Sequence, residues 1–227
     1  LGEGDLKTTR AIKSLPFPTA LILGNHDRGN DKTGELLKQQ LSILGDLHCG
    51  WQKRNWSIPN LAVIGARPCS AGGGYFLSRE VIGVFGDISF EDSVDRIVSA
   101  AKDVPKYVPL IVLAHSGPTG LGSDADSICG RDWKKPSMDW GDKDLEYALH
   151  EIRKFRKTDL VVFGHMHHAL KNSIEKTRTS FVKDRWGTSY LNAACVPRRG
   201  VTTKGEKLSH LSWVEFKDGQ FIHASHR

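Results

Sequence analysis

Three apolar runs in this chain stop at a histidine. They are Leu21-Ile22-Leu23-Gly24-Asn25-His26-Asp27, Leu110-Ile111-Val112-Leu113-Ala114-His115, and Leu160-Val161-Val162-Phe163-Gly164-His165-Met166-His167-His168. Each run has the length and composition of a buried strand. In α/β folds ligands gather at the carboxyl ends of strands, so three such endings point to one shared site. Neutral imidazole suits zinc, iron and nickel, whereas carboxamide and carboxylate oxygens suit manganese and magnesium; a mixed nitrogen and oxygen set indicates a first-row divalent ion. His165 and His167 are two residues apart. A helix-borne pair on one zinc would be four apart, and the shorter spacing fits better if each histidine serves a different metal. Taken singly, a histidine at a strand end is ordinarily a hydrogen-bonded surface or core residue. His48, His150, His168, His210, His223 and His226 keep that ordinary reading, and it is the combination that lifts the other three segments above it.

The rest of the chain alternates strands and helices, with no internal repeat and no low-complexity linker. Helices are expected over 6–15, 32–45, 91–104 and 142–157, and strands over 19–24, 60–68, 81–86, 109–114, 159–163 and 188–195. Asp218-Gly219 between alternating stretches 211–217 and 220–225 predicts a hairpin. Gly72-Gly73-Gly74 reads as a turn; a phosphate cradle is the alternative, but the Lys-Ser/Thr of a P-loop is missing. The stretch from Ser116 to Gly141 is loop-like over more residues than a compact domain usually tolerates without a function. It leaves the strand that presents His115, so a binding loop is expected.

A formal charge of +6 suits anionic partners such as phosphate esters, nucleic acid or an acidic surface, and equally a mildly basic surface of no special purpose. The basic run Arg153–Lys157 falls at a helix end, where cations complement the helix dipole. The apolar runs fall far short of the roughly 18–20 residues of a membrane-spanning helix, so no membrane partner is expected. Cys49, Cys69, Cys129 and Cys195 form no CxxC pair and read as thiols of a reducing compartment, cytoplasm or plastid stroma. The opening residues, Leu1 to Arg10, read as an interior segment with residues preceding Leu1.

The blocks Gly24-Asn25-His26-Asp27, the strand-terminal His115, and Gly164-His165-Met166-His167, in that order, resemble the last three motif blocks of the calcineurin-like metallophosphoesterases. The resemblance implies that Asn25, His115 and His165 ligate one metal and His167 the other. His26 would stand beside the phosphoryl group and protonate the leaving group or stabilise its charge, and Asp27 would orient and polarise His26. The cofactors would be two divalent ions (manganese, iron or zinc). Of that family's two earlier blocks, DxH does not occur before Asn25, and Gly4-Asp5 reads as a decoy of the GD block. Four of the expected ligands are therefore present and three, including the bridging aspartate, are expected upstream of Leu1, with Asp5 capping a helix instead. Gly117–Gly122, Cys129–Trp133, Asp139–Asp142 and Leu191–Arg198 resemble a branch found in cyanobacteria and plant plastids. That likeness offers Arg131 and Arg198 as phosphate or substrate contacts, weighed evenly against structural ion pairs.

The implied fold is α/β, with two mixed sheets packed face to face and flanked by helices, as a single domain over 1–227 whose first βαβ unit is missing. The implied activity is two-metal hydrolysis of phosphate mono- or diesters, with protein phosphoserine and phosphothreonine among the candidates, and residues 1–227 as given are expected to be weak or inactive without the upstream ligands. The alternatives are a non-catalytic binding module, against which the His26–Asp27 pair argues, and a nuclease of the same fold. A nuclease would show a basic, aromatic-lined groove, and the six tryptophans are scattered along the chain. Without its first unit the domain would expose a sheet edge for a partner to cover.

Overall fold

A computed structural model describes residues 3–56, 60–171, 173–195 and 199–227. Five helices are described, α1 Leu6–Lys13, α2 Glu35–Leu44, α3 Arg79–Phe85, α4 Phe90–Lys102 and α5 Lys143–Arg153. The strands are β1 Lys53–Trp56, β2 Leu61–Gly65, β3 Leu110–Leu113, β4 Leu160–Phe163, β5 Ala169–Leu170, β6 Ser173–Thr177, β7 Phe181–Lys183, β8 Ser189–Asn192, β9 Arg199–Val201, β10 Lys207–Ser209, β11 Ser212–Lys217 and β12 Gln220–His226.

The main sheet runs β1-β2-β3-β4-β8-β7. Its centre, β2-β3-β4-β8, is parallel, and β1 and β7 close the two edges antiparallel. Near-continuous apolar runs such as Leu110–Leu113 are what parallel strands covered by helices require. α4 and α5 pack on each other, burying Val94, Ile97 and Val98 from one helix and Leu145, Leu149 and Ile152 from the other. The expected α/β architecture, with mixed pairing and flanking helices, holds. The remaining strands pair only two by two, as β5-β6, β9-β10 and the β11-β12 hairpin, in place of a second broad sheet among the described residues. The buried apolar residues run from Leu23 to Ala194, so the last two ribbons lie outside the core.

Two local expectations are corrected. Residues 81–86 are not a strand: Ser78 accepts the Val81 N–H, and the chain helps itself into α3, which Gly86 ends at a φ of 82°. Val81-Ile82-Gly83-Val84-Phe85 is an apolar run too short to reveal its period. Thr19–Gly24 makes a single parallel bridge, Leu21 to His48, instead of a ladder. Its backbone is satisfied piecemeal: Cys49 N–H donates to Leu21 O (2.9 Å) and Cys69 N–H to Leu23 O (2.7 Å). No helix among the described residues is long and apolar enough to cross a membrane.

Candidate metal centre and its cavity

The parallel register carries the histidines to one place. Leu113 lies opposite Val162, and two residues further Gly164 N–H donates to His115 O (3.0 Å), so the turns leaving β3 and β4 stand side by side. The His115 and His165 rings meet edge to face at 5.1 Å. His165 takes a φ of 64°, in the left-handed region that a non-glycine residue occupies only when its surroundings hold it there. Asn25 arrives from the turn after Leu23, and its Oδ1 lies 2.8 Å from His115 Nε2. Asp27 fixes this turn by accepting the Gly24 N–H at 2.8 Å, while Asp27 N–H donates to Gly24 O. Gly24 is required by packing: a Cβ there would fall 2.4 Å from the His115 ring.

Asn25, His26, His115, His165 and His167 all line one cavity of about 550 Å3. Asn25, His115 and His165 are partly buried within it, and His26 and His167 are exposed. Burial pushes His115 down to about 3, helped by the neighbouring His165. Burial likewise pushes His165 down to about 4, against the Ala71 carbonyl, which favours the protonated ring. Both imidazoles are therefore neutral near pH 7, with the free lone pair that a metal takes.

A family model of the calcineurin-like phosphoesterases matches residues 2–169. The chain belongs to this family. No curated protein matches the chain. Membership makes the protein a metal-dependent phosphoesterase in general terms, and its residues fit a divalent ion. Donors sharing one ion at about 2.1 Å stand about 3 Å apart, close to the observed Asn25–His115 separation. The trio is two imidazoles and a carboxamide; no three His, Cys, Asp or Glu side chains among the described residues stand together as a metal-holding group. Two adjacent cations would also require an acidic donor; among the described residues the carboxylate lining the cavity is that of Asp132, which is paired with Arg178.

Of the two arginines expected in this phosphoesterase's site, the structure describes Arg131. Arg131 is buried behind the cavity wall, with Nη2 donating to Pro136 O (2.8 Å) and its guanidinium 5.0 Å over the Trp140 ring. Arg198 lies outside the described residues. The glycine turn is a seat and not a cradle, because Gly72 N–H donates to Ser70 Oγ (3.0 Å) and Gly73 N–H to Trp140 O (2.8 Å).

Three groups went unnoticed in the sequence. Arg67, 2% exposed, donates from Nη2 to Asp142 (2.7 Å) and from Nε to Asp144 (3.0 Å), and also reaches the carbonyls of Gly74 and Phe76. It ties the segment after β2 to the end of the long loop. Arg178 ties the same loop to the metal side: Nε donates to His167 O (2.9 Å), Nη1 to the carbonyls of Ala125 and Ser127, and Nη2 pairs with Asp132. Asp132, Trp133 and Trp140, from the expected binding loop, line the same cavity as the histidines. A polar signal existed for Arg67, an arginine just after an apolar strand, which must find partners; for the tryptophans the signal was their place in the expected binding loop, and for Arg178 the sequence carried none.

Proposed function

We propose that this protein hydrolyses phosphate esters in the histidine-lined cavity, with Asn25, His115 and His165 holding one divalent ion and His167 a ligand to a second. The observation that carries this reading is the convergence of three strand ends on one cavity. The enclosed donors are neutral there, and His26 is exposed beside them. Bound divalent ions supply Lewis-acid charge for the phosphoryl oxygens and favour ionisation of the attacking water. The chain's own residues do the rest. His26 would give a proton to the ester oxygen as its bond to phosphorus breaks, while water supplies the entering oxygen. Asp27 is a positioning residue, since its hydrogen bond to Gly24 sets the turn that carries both Asn25 and His26. Arg178 holds the His167 backbone, and through it the exposed side of the site.

The test is release of phosphate from a simple monoester and a phosphoserine peptide, and release of the alcohol from a diester, with manganese, iron or zinc added after chelation. Metal-restored hydrolysis of at least one ester is expected. Hydrolysis that survives chelation, or none with any metal and ester, would contradict the proposal.

A further inference from the structure

One wall of the histidine-lined cavity is aromatic and firmly built. Trp140 donates its Nε1–H to Ala71 O (2.9 Å), and the same carbonyl faces the His165 ring. A side chain at position 73 would strike the indole at 2.5 Å, so Gly73 exists to let Trp140 lie flat against the turn, and Arg131 covers the ring at 5.0 Å. Trp133 meets Trp140 edge to face at 5.3 Å. Its base is anchored through Asp132, which accepts the Lys171 N–H (2.6 Å) and pairs with Arg178 (3.3 Å). Yet Trp133 is 42% exposed, with Lys171 Nζ 6.0 Å from its ring centroid. Holding a large aromatic side chain rigid and wet in a concave wall forfeits the burial that would ordinarily repay ordering it. A flat group stacked on it would recover that area, and every flat ring offers the face for it.

We propose that Trp133, backed by Trp140, is a leaving-group subsite for a flat ring, and that the preferred substrates are phosphate esters whose leaving group carries an aromatic or heteroaromatic ring. This rests on the phosphoesterase reading: the phosphoryl group would sit at the histidines and the ring across the same cavity, with His26 near the ester oxygen between them. The separating comparison is one of shape at constant chemistry. Benzyl and cyclohexylmethyl groups have similar size and similar alcohols, but only the first is flat.

Binding of benzylphosphonate and cyclohexylmethylphosphonate, neither of which can be hydrolysed, is measured by calorimetry on the full chain with manganese present. Benzylphosphonate is expected to bind about three- to tenfold more tightly, the range of an aromatic pair. Trp133→Ala should bring the ratio close to one, and Trp133→Phe should keep most of it. A ratio near one in the unaltered protein, a ratio unchanged in Trp133→Ala, or no binding of either compound would overturn the proposal. The corresponding phosphate esters then separate the two readings. If the flat ligand is preferred through Trp133 but neither ester is hydrolysed with any metal, the subsite stands and the hydrolytic reading falls.

Discussion

Gly24 and Gly164 look equivalent in sequence, each preceding a candidate ligand, but their surroundings differ. A Cβ on Gly24 would press into the His115 ring at 2.4–2.9 Å, whereas at Gly164 the nearest atoms are 3.9 Å away. Gly24→Ala should therefore displace His115 and weaken metal binding by roughly 10- to 100-fold, the scale on which support of a ligand is felt. Gly164→Ala should bind metal nearly as the unaltered protein does. Calorimetric titration with manganese checks both, and equal losses would mean that Gly24 is not what seats His115. The histidines themselves were legible because each follows an apolar run, and parallel strands put consecutive run endings side by side. Arg131 was ambiguous, and its place behind Trp140 argues for a supporting role. Arg131→Ala is thus expected to change affinity for flat-ring ligands through Trp140, by about three- to tenfold, while leaving metal binding intact. A loss of metal in that variant would contradict the assignment.

Between elements, the buried Arg67 network joins β2, the glycine turn and the start of α5. Ser70 and Ser93 complete it by donating to Asp142 (2.6 Å) and Asp144 (2.7 Å). Removing the guanidinium leaves two carboxylates enclosed without their cation. Arg67→Ala should destabilise the fold by about 3–5 kcal/mol in denaturant unfolding. Arg67→Lys should recover only part, since one ammonium cannot serve two carboxylates and two carbonyls in a fork. A loss below about 1 kcal/mol for Arg67→Ala would show that solvent replaces the arginine. This network shows why some of the site escaped the sequence. Arg67 is more than 70 residues from its two carboxylates, and neither spacing nor period links it to Asp142. The same holds for Trp133 and Trp140, whose loop has no regular pattern yet folds across the histidines. α3 was misread for the opposite reason, because a short apolar run is compatible with both periods and the deciding feature is the cap at Ser78. The strands β5, β7, β9 and β10 are only two or three residues long and β6 is largely polar, too little for the alternation that marks a strand facing a core.

At the scale of the whole molecule, acid is the condition that tests the packing around the site. His48, buried beside Cys49 and 6% exposed, is pushed by burial down to about 4. Unfolding restores its ordinary pKa of about 6.5, so the unfolded chain takes up the proton first. The stability tied to neutral His48 is therefore complete above pH 6.5 and is lost as pH falls towards 4. His48→Leu should make stability less dependent on pH over that window, by at most about 3 kcal/mol relative to the unaltered protein. Identical pH profiles would contradict this. The central claim concerns metal, and it is tested by measuring bound divalent ion per chain in the unaltered protein, His26→Ala and His165→Ala after loading with manganese or zinc and removal of free metal. His26→Ala should keep the metal content of the unaltered protein and lose turnover by about 10²- to 10⁴-fold wherever turnover is measurable, while His165→Ala should lose its metal. Full metal content in His165→Ala, or a loss in His26→Ala as complete as in His165→Ala, would contradict the account.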